Sequence, residues 1–510
     1  MGGLRLAFLF GFANLVVATP VDIFHGYGRN DYWERRAELI SDERSRELGS
    51  DIVLRDDELQ ANRAFMKLKL KELDDAFLDP SKFLPAHNFI AIKSKIETSE
   101  VFKILKDMPK GAMLHAHDFA LVSWDYLFEN VTYRKDLFMC DVNGRKQFKF
   151  FSYPDKECDW RLLSALRKNA TSLANLNREI MEEITMKTDD PDKTYYEVDS
   201  AWEKCQRTFG TIIPMLSYRP VFEDFFYQAL LEHYEDNILY IEFRAILTPL
   251  YDLDGEEYGP LDVVKIMKTV TERFVRDHPD FVGARVIYAP SRLVDNDQLL
   301  EYLTIAKNLT STYPSFVAGF DLVGQEDKGK PLSYFANDLS KLSDGIKYFF
   351  HAGETDWYGT STDQNVVDAV LLNTTRIGHG YALLKHPKIL EIARKKDIPI
   401  EVNPISNQVL GFVRDLRNHP ASMFFANGYP IVISNDDPGM WGAKGLSYDF
   451  YEAFIGIMSR DADLKALKKL AMNSINYSSM TETEKLKAFD IWERKWNAFI
   501  AYLNIRDNSL

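Results

Sequence analysis

Residues 346–380 read IKYFFHAGETDWYGTSTDQNVVDAVLLNTTRIGHG. Two apolar runs, 346–351 and 375–379, flank a helical stretch, and each ends on a histidine, His351 or His379. Short, nearly continuous apolar strands alternating with helices predict a parallel sheet covered on both faces. Outward from this unit the pattern recurs at 112–117, 238–246, 284–288, 316–322, 398–402 and 431–434. With the first two runs that makes eight strands, which predicts an α/β fold of the (β/α)8 TIM-barrel type.

The barrel region spans 108–510, and the rest of the chain falls around it. Strands one and two lie about 120 residues apart where a barrel unit needs about thirty. The surplus, 127–200, holds Cys140 and Cys158 and reads as an exposed subdomain inserted after the first strand. Before the barrel, 20–107 is charged, with apolar residues at three- and four-residue spacing (Leu39, Ile40, Leu48, Ile52, Leu54, Leu59). This spacing predicts a helical arm. Such an arm can pair with a second copy to make a homodimer or cover the barrel's own surface. Residues 1–19, with one Arg, an apolar core and small residues before a polar segment, have the layout of a secretory signal peptide; a buried N-terminal helix is the competing reading. Elsewhere no run approaches the roughly 20 apolar residues of a membrane span.

Seventy-six acidic against 62 basic residues give a net charge of −14, which disfavours a nucleic-acid polymer as partner. With only three cysteines, an all-thiolate metal cluster is excluded, so any metal must be held by His and carboxylate. In an oxidising compartment Cys140 and Cys158 can close a loop and leave Cys205 as the odd thiol; free thiols are the alternative. Sequons at Asn130, Asn169, Asn308, Asn373 and Asn476 are glycosylation candidates and fit export.

In a barrel of this kind functional residues sit at the C-terminal ends of the strands. His115 and His117 stand there in strand one, two apart and so on one side; His351 ends strand five, His379 strand six, and Asp436-Asp437 follow strand eight. Each alone is weak evidence. Together they offer a divalent metal such as Zn2+ three nitrogens and one oxygen, from His115, His117, His351 and Asp436. Two-metal barrel hydrolases put a bridging Lys or Glu at the end of strand four, where GFDLVGQED has Gly324, so a single metal is expected. Glu354 is then free to be a proton donor, a role that needs a carboxyl kept protonated, and His379 to orient or deprotonate a water on the metal.

The motifs MLHAHDFA, GFDLVGQED, FFHAGETDW, TRIGHGYAL, PIEVNPISNQVL, DLRNHP, VISNDDP and GAKGLSYDFYEAF resemble the secreted adenosine deaminase-related growth factors, within the metal-dependent adenosine deaminase superfamily. The resemblance runs from about Met108 to Trp496. It implies one Zn2+ on His115, His117, His351 and Asp436, and hydrolysis of adenosine and 2′-deoxyadenosine to inosine and 2′-deoxyinosine. It further implies that Glu354 protonates purine N1, His379 positions the nucleophile, Asp437 bonds N7 and the Gly324 backbone N–H meets N3, with Asp118 and Trp202 in the ribose pocket. A Cys140–Cys158 disulfide, dimerisation through the arm, and binding of a cell-surface receptor or glycan by the insertion are implied in the same way. The chain departs from its relatives at Ser291 and Gln325, where they carry His. These positions bear on the substrate pocket and not on the reaction. The H-x-E and P-C-x-x-C pattern of the other zinc deaminases is absent. Two further readings share the same residues: a receptor-binding growth factor with secondary catalysis, and a barrel hydrolase acting on another aminopurine.

Overall fold

The computed structural model describes residues 29–342 and 345–507. The expected signal peptide lies outside the described residues. The described residues fall into two units that divide after Ser45, the first represented by the helix Arg29–Arg46.

The second unit is built on eight parallel strands: β1 (Gly111–Met113), β2 (Ile238–Ala245), β3 (Gly283–Tyr288), β4 (Val317–Phe320), β5 (His351–Ala352), β6 (Ile377–His379), β7 (Ile400–Val402) and β8 (Ile431–Ile433). The first four pair in sequence order in one sheet and the last four in another. Parallel bridges Phe320↔Tyr348 and Ala116↔Asp436 join the sheets at both seams, so the strand order is cyclic, consistent with the expected barrel. Every residue of β2 is buried, as a strand covered on both faces requires.

The strands are shorter than the apolar runs that encode them. The β1 ladder stops at Met113, so His115 and His117 follow the strand rather than end it. Single parallel bridges, Ala116↔Asp436 and His117↔Arg244, carry the extended backbone onward and keep the two imidazoles on one side. His351 opens β5 instead of closing it, and the residues before it pair through the Phe320↔Tyr348 bridge and single backbone bonds to Thr375 and Gly378.

Between β1 and β2 lies an antiparallel three-stranded sheet (Leu137–Val142, Arg145–Phe150, Arg161–Leu162), with Cys140 and Cys158 joined in a disulfide, Cα atoms 6.2 Å apart. Cys205 is buried and free. Helices follow, and the helix Val198–Leu216 crosses the expected limit of the insertion at residue 200. Ahead of the barrel, the helix Asp56–Leu78 lies on the barrel's own elements. Phe65 stacks on Phe454 with ring centroids 5.4 Å apart, and Lys69 Nζ donates to the Ser459 and Ala462 carbonyls at 2.9 and 2.6 Å. Asn130, Asn169, Asn308, Asn373 and Asn476 are all exposed. No described helix is long and apolar enough to cross a membrane.

Candidate active site

The imidazoles are held from behind. His115 Nδ1 lies 2.7 Å from Glu401 Oε2, and His351 Nδ1 2.6 Å from Asp321 Oδ2. A carboxylate at Nδ1 fixes the proton there and leaves Nε2 as a bare acceptor facing the site. The two carboxylates are themselves tied together by Arg244, whose Nε donates to Asp321 Oδ2 at 3.0 Å and Nη2 to Glu401 Oε2 at 2.7 Å. Arg376 donates to Glu401 Oε1 at 2.5 Å and pairs with Glu242 at 2.8 Å. Burial raises the pKa of Asp321 and Glu401, but the His351 ring and then Arg244 at Asp321, and Arg244 and Arg376 at Glu401, outweigh it and hold both below the usual carboxylate range.

On the other side of the rings the donors converge. Asp436 Oδ1 is 3.2 Å from His115 Nε2 and 3.0 Å from His117 Nε2, while Asp436 Oδ2 accepts from Ser406 Oγ at 2.7 Å. His115, His351, His379 and Asp436 each offer a ligand atom within 4.8 Å of the others, and His117 groups with Asp436 and Asp437. Both His115 Nε2 and Asp436 Oδ1 are buried without a hydrogen-bond partner. Two lone-pair atoms in contact repel unless a cation lies between them, so this donor set fits a divalent metal. Burial opposes protonation of His117, yet Asp437 and Asp436 push its pKa up to about 9, which shows how strongly this point attracts positive charge. Burial drives His351 down to about 3 against the pull of Asp321, so it is a neutral imidazole. His379 and Asp436 both sit at left-handed backbone, φ 61° and 55°, conformations of the kind that cluster at functional sites.

The bonding pattern assigns the His379 tautomer. Ala421 N–H donates to His419 Nδ1, so the His419 proton is on Nε2, 3.0 Å from Asn407 Oδ1; the Asn407 amide then faces His379 Nδ1 at 3.3 Å. His379 therefore carries its proton on Nε2, 3.7 Å from Asp436 Oδ2. Glu354 Oε1 lies 3.5 Å from the His379 ring and has no hydrogen-bond partner. Burial first, then the charges of Asp436 and Glu326, raise the Glu354 pKa well above the usual carboxylate range. Burial and Asp436 lift Asp437 to about 8, and burial lifts Asp118 to about 7.

These groups open on one cavity of about 370 Å³. His117, Asp118, Trp202, Gly324, His351, Glu354, His379, Asp436 and Asp437 all line it; His115 is fully buried behind them. The residues expected to hold metal or substrate are thus gathered there, and Ser291 lines the cavity too, whereas Gln325 does not line it and donates to Asp199 Oδ1 at 2.7 Å. Sequence reading missed Asp321, Glu401, Arg244, Arg376, Ser406 and Asn407. A signal existed for the first four: each is a charge set in or beside a short apolar strand that should be uninterrupted (YIEFRA, GFDL, TRIG, PIEV).

Buried imidazoles and a carboxylate converging at the strand ends of a parallel α/β fold are a donor set suited to a metal-dependent enzyme. Family models agree: "Adenosine deaminase" matches residues 171–493 and "Adenosine/AMP deaminase N-terminal" residues 14–105. The chain belongs to the adenosine deaminase family. It is 45% identical to adenosine deaminase 2 of Sus scrofa, covering 96% of this chain and 97% of that protein. It is 46% identical to adenosine deaminase 2 of Homo sapiens, covering 92% and 93%. An Arabidopsis N6-mAMP deaminase shares its fold with a TM-score of 0.56 at 16% identity, over 77% of this chain and 99% of that one. So does a Zn-bound amidohydrolase described as from Burkhoderia ambifaria, with a TM-score of 0.52 at 17% identity over 80% and 95%.

Proposed function

We propose that this chain is a secreted, zinc-dependent adenosine deaminase that hydrolyses adenosine and 2′-deoxyadenosine to inosine and 2′-deoxyinosine with release of ammonia. The observation that carries the reading is Glu354: a buried carboxyl, its pKa raised well above the ordinary carboxylate range by burial, beside a cluster of donors that could hold a metal, in one cavity. His115, His117, His351 and Asp436 would hold the ion, and the zinc in the Burkhoderia ambifaria neighbour supports its identity. When bound, the metal supplies a water acidic enough to attack carbon at neutral pH.

The chain's residues do the rest. Glu354 gives its proton to purine N1, which makes C6 electrophilic. His379, with its proton on Nε2, donates to the attacking water and orients it. Asp437 bonds N7, and the Gly324 backbone N–H meets N3. Trp202 Nε1 and Asp118 Oδ2, buried and without partners, face the cavity where ribose hydroxyls would bond. Water oxygen ends on C6, one of its two protons completes the leaving ammonia and the other replaces the proton that Glu354 gave to N1. No Lys or Arg is among the residues lining the cavity, which favours a neutral nucleoside over its phosphates. Purified zinc-loaded protein should convert adenosine to inosine, followed by the loss of adenosine absorbance and by chromatography, and should act poorly on AMP. Absence of conversion refutes the reading.

The disulfide and the exposed sequons support export. We assign the disulfide-closed sheet of the insertion to a cell-surface receptor or glycan, and a homodimer to the N-terminal helices. Sedimentation of the full chain tests the dimer. For growth-factor action, Glu354→Ala separates the routes: proliferation that survives loss of deamination indicates receptor contact, and proliferation lost with it indicates adenosine depletion.

A further inference from the structure

We infer that Arg244 is the positioning residue of the metal centre: one guanidinium that sets the orientation of two metal-binding imidazoles at once. The inference rests on the metal reading above and goes beyond it, because Arg244 touches neither ion nor substrate.

The geometry is that of a fork spanning two clamps. Arg244 Nε reaches Asp321 Oδ2 at 3.0 Å, and the same oxygen lies 2.6 Å from His351 Nδ1. Arg244 Nη2 reaches Glu401 Oε2 at 2.7 Å, and that oxygen lies 2.7 Å from His115 Nδ1. Each carboxylate oxygen that fixes an imidazole is thus itself fixed by the same planar group. The remaining donors anchor the fork to the backbone that carries those histidines: Nη1 to the Leu114 carbonyl at 3.1 Å, beside His115, and Nη2 to the Phe349 carbonyl at 3.0 Å, two residues before His351. The Arg244 main chain joins in, since its N–H donates to the Ala116 carbonyl at 2.7 Å and it bridges His117. Side chains of all three charged partners are fully buried, so water cannot substitute for a lost bond.

The arrangement specifies arginine. A guanidinium places several donors in one rigid plane, whereas a lysine ammonium is a point charge on a flexible stem that cannot span both carboxylates and both carbonyls. Partners of metal-bound histidines typically govern metal affinity by about 10- to 100-fold. Here two such partners depend on one residue, so their effects are coupled.

The test measures zinc binding by competition with a chromogenic chelator, beside thermal unfolding with and without zinc. Arg244→Lys and Arg244→Gln should each bind Zn2+ about 10- to 100-fold more weakly than the parent. Their cobalt-substituted forms should show shifted visible bands, because those bands report ligand geometry. In combination with Asp321→Asn the losses should be less than multiplicative. Lys110→Met, which removes another fully buried cation away from the site, should leave zinc affinity unchanged. A variant that folds only when zinc is present is the extreme of the expected result. Parent-like affinity and cobalt spectra in both Arg244 variants overturn the proposal, as does a variant unfolded with and without zinc, which would assign Arg244 to the fold alone. A parent protein that takes up no zinc refutes instead the metal reading.

Discussion

The two sides of the imidazole cluster both carry buried carboxyl groups, in opposite states. Behind the rings Arg244, Arg376, Asp321, Glu401 and Glu242 are buried and every one is bonded to another member of the group. On the cavity side His115 Nε2, Asp436 Oδ1, Glu354 Oε1, Asp437 Oδ1, Asp118 Oδ2 and Trp202 Nε1 are equally buried atoms with no partner. An unsatisfied buried polar atom costs about 1–3 kcal/mol, and a fold does not collect six in one place without a ligand to satisfy them. The difference separates holding from acting: the paired side fixes orientation, and the unpaired side is where a metal and a substrate would bond.

The largest effect should come from removing a donor on the unpaired side. His115→Ala or Asp436→Ala should lose both metal and deamination, read by elemental analysis and inosine formation; full activity in either would break the comparison. Glu354→Gln should keep the metal and lower kcat by about 10²- to 10⁴-fold, because only the proton is missing. Loss of metal in that variant would move Glu354 to the holding side. Away from the site, Cys140→Ser with Cys158→Ser should cost the insertion about 3 kcal/mol of local stability while deamination is unchanged. Hydrogen exchange in the Leu137–Val142 strand reads the first and turnover the second.

The smallest effect sharpens the rule. Glu452 is fully buried with both carboxyl oxygens unpartnered, yet it does not line the cavity. Burial, then Asp449 and Glu72, raise its pKa well above the unfolded value of about 4.3. The folded chain therefore holds this proton more tightly than the unfolded chain. Its contribution is complete at pH below the unfolded pKa and declines as pH rises toward the folded one. Glu452→Gln, permanently neutral, should match the parent's melting temperature in acid, exceed it in alkali, and leave turnover alone. A fall in turnover would mean that unpartnered carboxyls serve the reaction beyond the cavity as well.

The eight parallel strands were legible because apolar runs are local patterns, and the convergence of His115, His117, His351, His379 and Asp436 could be anticipated because strand ends follow from the runs. His115 and His117 reach one carboxylate although the β1 ladder ends at Met113, because the alternation of an extended backbone persists beyond the formal strand. The paired layer was not legible. Arg244 meets Asp321 across 77 residues and Glu401 across 157, and which acid faces which base is settled only when the strands close on one another. A charge inside a buried strand announces that a partner exists without naming it. The His379 tautomer was beyond reach for the same reason, being fixed through Asn407 and His419 by contacts that no spacing encodes.

The helix Asp56–Leu78 and the helix Glu482–Asp507 are fastened to each other by three bonds: Trp496 Nε1 to Glu58 Oε1 at 2.6 Å, Arg55 Nη2 to Asn497 Oδ1 at 2.8 Å, and Asn504 Nδ2 to the Asp57 carbonyl at 3.0 Å. Mechanically, this turns an open chain into a buckled belt. Tension applied between the two helices would load those three bonds in shear, and would also reach the strands directly, because Arg285 in β3 is paired with Glu484 of the second helix.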